Sequence, residues 1–376
     1  MKIIAEAGVN HNGSLETAMK MVDAAASAGA DYIKFQTFHT DALVTAICEA
    51  ADYQKENAGA RKQEDMLKDL ELTYNDFKKL KDYCKKKGIG FLSTAFDEES
   101  VDFISSLQPD YMKVPSGELT NLPFLRKIAS TGIPVIISTG MATPEEIGKA
   151  LMPFRKAGYG NDEIVLLHCT TQYPAPMEDV NLQAMKTVSE NFGLPAGYSD
   201  HTLGIEIPIA AAALGATVIE KHFTLDRDME GPDHKASLEP EELTSMVKAI
   251  RNITLALGNG VKEVKDSERS NIMAARRSIV AKRPIKKGEL IEEDDICTKR
   301  PATGLSPMLW DKVIGSRAIK DYAPDDLIEL SEEGWASGML GSIKGGVLGG
   351  LEGLRESMGE LKDGVIETLT GKKSEE

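Results

Sequence analysis

Eight short apolar segments, each followed by a helix-like stretch, recur between Ile3 and Gly258, and this rhythm constrains the fold more than any other feature. Buried parallel strands are near-continuous runs of Val, Ile and Leu, and eight successive strand–helix units close into a barrel. The sequence therefore predicts an α/β fold with a (β/α)8 TIM barrel over residues 1–260. The predicted strands are Ile3–Glu6, Tyr32–Gln36, Gly90–Ala95, Tyr111–Ser116, Val135–Ser138, Ile164–Thr170, Ala196–His201 and Val218–His222.

Several of the intervening helices have recognisable ends. Ser14 can cap a helix over Leu15–Ala28, because its hydroxyl oxygen can accept from a free backbone N–H of the first turn. Tyr74–Lys87 ends in a basic run that suits a helix C-terminus, and Glu239–Leu257 is expected to form the eighth helix. The stretch Thr37–Leu70 exceeds an ordinary strand–helix connection, so it predicts a lid or rim over the site.

The pattern changes after residue 260, which predicts further domains. Residues 261–276 are polar and indicate a linker or linking helix, whereas residues 277–331 alternate short apolar segments with turns, as in a small β-rich module. In residues 332–376, apolar residues recur at three- and four-residue steps, which predicts an amphipathic helical tail. Its many glycines oppose a stable isolated helix, so the tail either needs a partner surface or is a frayed appendage.

The composition indicates a soluble globular protein, with 41% hydrophobic and 27% charged residues. The formal net charge is −15, which argues against nucleic acid as a partner because phosphate binding needs clustered Lys and Arg. Four scattered cysteines make no disulfide framework, and neither a signal peptide nor an apolar run of membrane-spanning length is evident. The sequence therefore predicts a cytoplasmic protein with no transmembrane segment.

Two lysines lie at the ends of predicted strands, where the active site of a barrel is found. Gln36 follows Lys34 two positions later, Ser116 and Gly117 follow Lys113 closely, and a buried lysine is rare without a partner. Together with Ser116 and Ser138, they predict a clamp for the oxygens of a phosphate or carboxylate. Alternatively, each lysine forms a structural salt bridge with a neighbouring glutamate.

Two histidines end the last two predicted strands, His201 on the seventh and His222 on the eighth. A pair of imidazoles on adjacent strands can bind one divalent metal and leave positions for water and substrate. Since no third protein ligand is evident, the pair predicts a weak, solvent-rich site for Mn²⁺ or Mg²⁺. Glu6, at the end of the first strand, either holds or orients a substrate group or belongs to an ordinary capped turn.

These motifs together resemble the sialic acid synthase family, which condenses phosphoenolpyruvate with N-acetylated hexosamines. The resemblance covers residues 1–330. It rests on the runs Glu6–Gly13, Lys34–Gln36, Lys113–Glu118, Ser138–Met141, His168–Pro174, Gly197–Thr202, Glu220–Thr224 and Gly231–His234. It implies a barrel followed by a small antifreeze-like (SAF) domain, and a domain-swapped homodimer in which Arg300 of one subunit reaches the site of the other.

The resemblance also implies a role for each candidate residue. Lys34, Lys113, Ser116 and Ser138 would bind phosphoenolpyruvate, and His201 and His222 would hold the metal. The sugar would contact Glu6, Gln36, Tyr173 and Asp233, with Ser199 also in the substrate site. The catalytic set would be Glu6, Glu118, His201 and His222.

The sugar itself stays open at this point. An Asn that sialic acid synthases often have at the position of Thr171 is missing, and the run Cys169–Pro174 resembles legionaminic acid synthases at least as well. N-acetylmannosamine and 2,4-diacetamido-2,4,6-trideoxymannose are therefore both candidates. Two other functions are a Schiff-base aldolase of sugar acids, which needs a desolvated lysine with a lowered pKa, and a non-catalytic sugar-binding protein.

Overall fold

The computed structural model describes residues 1–45 and 63–331, and it confirms the predicted barrel. Eight parallel strands, β1 to β8, pair in chain order, and β8 pairs with β1 to close the barrel. Their bounds are Lys2–Gly8, Tyr32–Thr37, Gly90–Ala95, Met112–Val114, Val135–Ser138, Ile164–His168, Ala196–Asp200 and Val218–His222. β4 is shorter than predicted because Pro115, which has no backbone N–H for the sheet, begins a 3₁₀ turn over Ser116–Glu118.

Helices lie between the strands and after the last of them, and those predicted over Leu15–Ala28 and Tyr74–Lys87 have the predicted bounds. Within the described part of the barrel, α1 to α10 span Leu15–Ala28, Thr40–Leu43, Gln63–Leu70, Tyr74–Lys87, Glu98–Ser106, Leu122–Ala129, Pro144–Lys156, Gln183–Phe192, Glu206–Ala213 and Pro240–Leu257. Ser14 caps α1 by accepting from the Thr17 backbone N–H at 3.2 Å. Glu239 is the N-cap of α10 and not its first residue. The predicted lid or rim contains α2 and α3, and its residues 46–62 lie outside the described part.

Apolar layers lie on both faces of the strands because successive side chains point to opposite faces of a sheet. Inside the barrel, Ile4, Leu92, Ile136, Val165 and Leu167 form a small buried cluster. On the outer face, a much larger cluster joins the strands to the surrounding helices. The interior is thus closed by apolar side chains, and the polar groups gather where the strands end.

A buried ion pair joins β7 to β8. Asp200 lies opposite Lys221 in the strand register, and Lys221 Nζ lies 2.6 Å from Asp200 Oδ2 with both side chains fully buried. The same carboxylate accepts hydrogen bonds from the backbone N–H and the hydroxyl of Thr202, at 3.0 and 2.9 Å. His201 and His222 are the chain neighbours of these residues, so the pair fixes the two strand ends to which the histidines belong.

We expect Lys221→Met to lower the free energy of unfolding by about 3–5 kcal/mol, because it leaves the Asp200 carboxylate buried without its counter-charge. Urea denaturation measures this loss. Lys149→Met is the matched control: Lys149 is an exposed residue of α7 paired with Glu145, and its replacement should change stability little. Equal losses for the two variants would contradict a stabilising role of the buried pair.

The chain divides into two compact units, Met1–Gly260 and Val261–Glu376. In the second unit, α11 spans Asp266–Ala275 within the predicted linker, and α12 spans Trp310–Val313. Strands β9 (Ser278–Ala281) and β10 (Ile296–Lys299) pair antiparallel. Its core contains Ile279, Ile285, Ile291, Val313 and Tyr322. The predicted amphipathic tail, residues 332–376, lies outside the described residues.

Two further sequence expectations concern the membrane and the cysteines. Across residues 1–45 and 63–331, no helix combines the length and the apolar character needed to cross a membrane. Cys84, Cys169 and Cys297 are free thiols, and Cys48 lies outside the described residues.

Candidate active site

A cavity of about 550 Å³ lies at the C-terminal ends of the barrel strands. Every barrel residue that the sequence predicts for the site lines it. These residues are Glu6, Lys34, Gln36, Lys113, Ser116, Glu118, Ser138, Tyr173, Ser199, His201, His222 and Asp233. Arg300 belongs to the second unit, where its side chain is exposed, and its role in the site stays a prediction.

The two lysines of the predicted anion clamp are both buried in this cavity. Lys34 Nζ donates to the Thr94 hydroxyl at 2.9 Å and lies 2.8 Å from a carboxylate oxygen of Glu6. Lys113 Nζ donates to the Ser138 hydroxyl at 2.8 Å. Both lysines also approach Glu220, at 3.7 and 3.6 Å. The lysines thus form the salt bridges with glutamates that the sequence offered as an alternative, and the anion clamp stays a prediction.

Glu220 is a site residue that the sequence reasoning missed. Its carboxylate lies between the two lysines and accepts from the Ser199 hydroxyl at 3.0 Å. Burial alone would raise the pKa of Glu220, but Lys113 and Lys34 hold it well below its usual range. The sequence could have indicated Glu220, because a residue two positions before His222 on the same strand faces the same side of the sheet.

Glu6 is the second buried carboxyl in this group. Its Oε1 accepts from the Gln36 amide at 3.2 Å, and its Oε2 pairs with the Lys34 ammonium at 2.8 Å. Burial raises the pKa of Glu6, and Lys34 only partly offsets this effect. Glu6 and Glu220 are thus two buried carboxyls whose pKa values are displaced in opposite directions. Such pairs are frequent in sites that move protons.

Ser116 lies where three segments of chain meet. Its hydroxyl oxygen accepts from the backbone N–H of Gly140 at 3.0 Å and lies 3.3 Å from the Cys169 sulfur. A side chain at position 140 would bring a Cβ atom within 2.8 Å of that oxygen and 2.5 Å of the Thr171 methyl, so only glycine permits this approach. Glu118, two residues after Ser116 in the chain, accepts a hydrogen bond from the Asn121 side-chain amide through its carboxylate at 2.6 Å.

His201 and His222 also line the cavity, with ring centroids 5.5 Å apart. Tyr173 covers both, at 4.1 Å from the first ring and 5.7 Å from the second. Burial lowers the pKa of each imidazole, and in His222 the neighbouring His201 lowers it further. Both rings are therefore neutral near pH 7, which is the form that binds a metal.

The ring nitrogens fit a metal-binding role in part. Nδ1 of His201 lies 2.5 Å from the Thr170 carbonyl oxygen, an arrangement that leaves Nε2 for a ligand. Nδ1 of His222 is buried without a hydrogen-bond partner and lies 3.8 Å from the Asp233 carboxylate. Among residues 1–45 and 63–331, no cluster of three or more His, Cys, Asp or Glu residues has metal-binding geometry. The two imidazoles and the one orphan nitrogen leave the metal site a prediction.

A hydrogen-bond network between the loops that follow β1 and β8 holds Asp233 at the cavity. The Asn10 amide donates to the Phe223 carbonyl and to the Ser237 hydroxyl, both at 2.9 Å, and that hydroxyl donates to the backbone carbonyl of Asp233. Burial raises the pKa of Asp233 to about 6. The loops that follow β1 and β8 are thus tied together, and they present a carboxyl group beside His222.

Comparison with known proteins identifies relatives across most of the chain. Residues 21–262 match the model of the NeuB family, and residues 276–332 match that of the SAF domain. N,N'-diacetyllegionaminic acid synthase of Campylobacter jejuni is 51% identical over 87% of this chain and 98% of its own length. The protein of the same name from Legionella pneumophila is 49% identical over 84% of this chain and 89% of its own. Among solved structures, the N-acetylneuraminic acid synthetase of Leptospira borgpetersenii aligns with a TM-score of 0.63 and 37% identity over 72% of this chain and 89% of that protein.

Proposed function

The chain belongs to the NeuB family, and from this premise we propose that it condenses phosphoenolpyruvate with 2,4-diacetamido-2,4,6-trideoxymannose and water, giving a nonulosonic acid and phosphate. The observation on which this rests is the cavity that holds two buried lysines beside two neutral imidazoles. The choice of sugar is supported by the two relatives named as N,N'-diacetyllegionaminic acid synthases. The chain is accordingly a transferase of carbohydrate biosynthesis.

The reaction forms one carbon–carbon bond and one carbon–oxygen bond from water, and it breaks the carbon–oxygen bond that joins C2 to phosphate. The two protons of the water go to the new sugar hydroxyl and to the released phosphate. The C3 carbon of phosphoenolpyruvate attacks the aldehyde carbon of the open-chain sugar, whose oxygen takes a proton and becomes a hydroxyl. Water adds to the cationic C2 carbon and gives a tetrahedral intermediate. Phosphate then leaves with its bridging oxygen, and C2 becomes the ketone of the product.

The positive groups of the cavity are suited to the phosphate and carboxylate of phosphoenolpyruvate. Lys34 and Lys113 form ion pairs with Glu220, so their ammonium groups are held in place before the anion binds. The Ser138 hydroxyl accepts from Lys113, and Ser116 lines the same cavity. The sugar would then contact the remaining polar lining residues, among them Gln36, Tyr173, Ser199 and Asp233, with the carboxyls of Glu6 and Glu118 close to the reacting atoms.

Lys113→Ala is expected to raise the KM for phosphoenolpyruvate by roughly 10- to 100-fold, because a buried hydrogen bond to a charged group is lost. The KM for the sugar should change much less. Steady-state kinetics with each substrate varied in turn measures both values, and Lys149→Ala on the exposed face of α7 is the control. An increase confined to the sugar KM would mean that Lys113 does not face the phosphate.

A divalent metal is part of the proposal. His201 and His222 would hold Mn²⁺ or Mg²⁺, and a bound metal would polarise the aldehyde and lower the pKa of a bound water. Tyr173 packs on both rings and fixes their orientation. Asp233 Oδ2 lies 3.8 Å from His222 Nδ1, and its carboxyl is the proposed proton acceptor for the sugar.

The two other candidate functions are tested by separate measurements. Burial lowers the pKa of Lys113, as a Schiff-base aldolase would require, although Glu220 opposes this effect. Borohydride with pyruvate would trap a covalent adduct on Lys113 in an aldolase and should trap none here. A non-catalytic sugar-binding protein would release no phosphate from phosphoenolpyruvate. It would also tolerate alanine at both His201 and His222.

The deciding experiment is a substrate panel. Phosphoenolpyruvate is mixed with each candidate hexosamine, and phosphate release is followed with identification of the nine-carbon product. We expect turnover with the diacetamido sugar, and weaker turnover with N-acetylmannosamine. The proposed setting is the cytoplasm, and the proposed assembly is a domain-swapped homodimer in which Arg300 completes the partner subunit's site.

A further inference from the structure

We propose that an apolar wall of the cavity, formed by Val9, Phe38, Val44, Met66, Leu67 and Leu70, selects a sugar that ends in a methyl group at C6. This inference rests on the proposed function. All six side chains line the cavity, and five of them are buried and belong to one cluster separate from the main core of the barrel. The lining is therefore divided between polar groups at the strand ends and an apolar surface made by the segments that follow.

The wall lies on segments beyond the strand ends. Val9 follows the last residue of β1, and Phe38 follows the last residue of β2. Met66, Leu67 and Leu70 lie on one side of α3, at the three- and four-residue spacing of an apolar helix face. Gln63, at the start of α3, is a polar lining residue near this surface.

Two contacts hold the wall in place over the site. The Glu71 carboxylate accepts hydrogen bonds from both the backbone N–H and the hydroxyl of Thr40, which joins the end of α3 to the start of α2. At Gly13, where φ is +69°, a Cβ atom would lie 2.4 Å from the Asp69 carbonyl oxygen. The chain after β1 therefore packs directly on α3, and only glycine permits the contact.

The chemistry of the substrates decides which of them meets this surface. Phosphoenolpyruvate is an anion and belongs with Lys34 and Lys113. The sugar aldehyde must reach the same polar groups, because its carbon bonds to phosphoenolpyruvate there. The far end of the open-chain sugar, C4 to C6, then extends toward the wall.

The candidate sugars differ at this far end. N-acetylmannosamine has hydroxyls at C4 and C6, whereas the trideoxy sugar has an acetamido group and a methyl. A hydroxyl in contact with Met66 and Leu67 would lose its hydrogen bonds to water and gain no partner in the wall. A methyl group at the same place would bury apolar surface. Hydrophobic pockets discriminate such pairs by about 10- to 100-fold in kcat/KM.

The test compares two sugars that differ only at C6: 2,4-diacetamido-2,4,6-trideoxymannose and its 6-hydroxy analogue. For the unmodified protein we expect kcat/KM to favour the 6-methyl sugar by about 10- to 100-fold. Met66→Gln and Val44→Thr place a polar group in the wall at nearly constant volume, and each should lower that ratio by about 5-fold or more. The KM for phosphoenolpyruvate should stay nearly unchanged in both.

Met152→Gln is the matched control, because it makes the same substitution at an exposed methionine of α7 outside this cavity. It should leave the ratio unchanged. Val44 is only half-buried, so Val44→Thr tests the proposal even if Met66→Gln fails to fold. An unchanged ratio in folded Val44→Thr and Met66→Gln protein, or no preference in the unmodified protein, overturns the wall as the selecting surface. If phosphate is released with neither sugar, the proposed function itself is overturned.

Discussion

Alanine at His201 or at His222 is expected to lower kcat by about three orders of magnitude, because each substitution removes one of two protein ligands from the proposed metal site. The expectation rests on the neighbouring rings and on the orphan Nδ1 of His222. Chelation of the unmodified protein should have the same effect, and added Mn²⁺ should restore its activity. The variants should regain little activity under the same treatment.

The loss of activity must be separated from a loss of structure. His39→Ala is the control, since this histidine packs against Tyr74 at a ring distance of 5.0 Å and is not among the residues that line the cavity. Equilibrium binding of Mn²⁺, measured without substrate, gives a readout independent of turnover and should weaken only in the two site variants. Full activity of the unmodified protein in metal-free buffer would contradict the metal site.

The fold and most of the site could be predicted because both depend on local patterns. Eight apolar strands that alternate with helices indicate a closed barrel, which the structure shows. The helix cap at Ser14 also lies where the sequence predicts it. Residues at strand ends of such a barrel converge on one cavity, which is why Lys34, Lys113, His201 and His222 lie together. No long-range information was needed for these conclusions.

Partnerships between strands far apart in sequence could not be predicted in the same way. Glu220 approaches Lys34 and Lys113, which lie 186 and 107 positions earlier in the chain, and nothing in the local sequence specifies which lysine a glutamate will meet. The pairing follows from closure of the barrel. The same limit applies to the Asp200–Lys221 pair, whose members precede the candidate site residues His201 and His222 in the chain.

The apolar wall escaped sequence reasoning for a different reason. Met66, Leu67 and Leu70 have the spacing of an ordinary core-facing helix, so their pattern indicates burial without saying against what. They do form a buried cluster, but this cluster also borders the cavity. Only the position of α3 beyond the ends of β1 and β2 distinguishes a surface that borders the cavity from a second core.

Arg300→Ala is expected to abolish most activity while leaving the protein dimeric, because the residue is proposed to complete the partner subunit's site. The side chain is exposed on the second unit, which begins at Val261. A guanidinium can donate two parallel hydrogen bonds, which an ammonium cannot copy. Arg300→Lys should therefore restore little activity.

Mixing two inactive variants distinguishes a shared site from a self-contained one. Arg300→Ala and Lys113→Ala dimers are combined under conditions of subunit exchange and assayed at limiting phosphoenolpyruvate, where both are nearly inactive alone. In a two-fold dimer with shared sites, each heterodimer has one site with both residues intact, so random exchange should restore about a quarter of the unmodified activity. If each chain completes its own site, both sites of every heterodimer lack one residue. Heterodimers that form, as shown by mass spectrometry of differently tagged chains, and yet stay inactive would contradict the shared site.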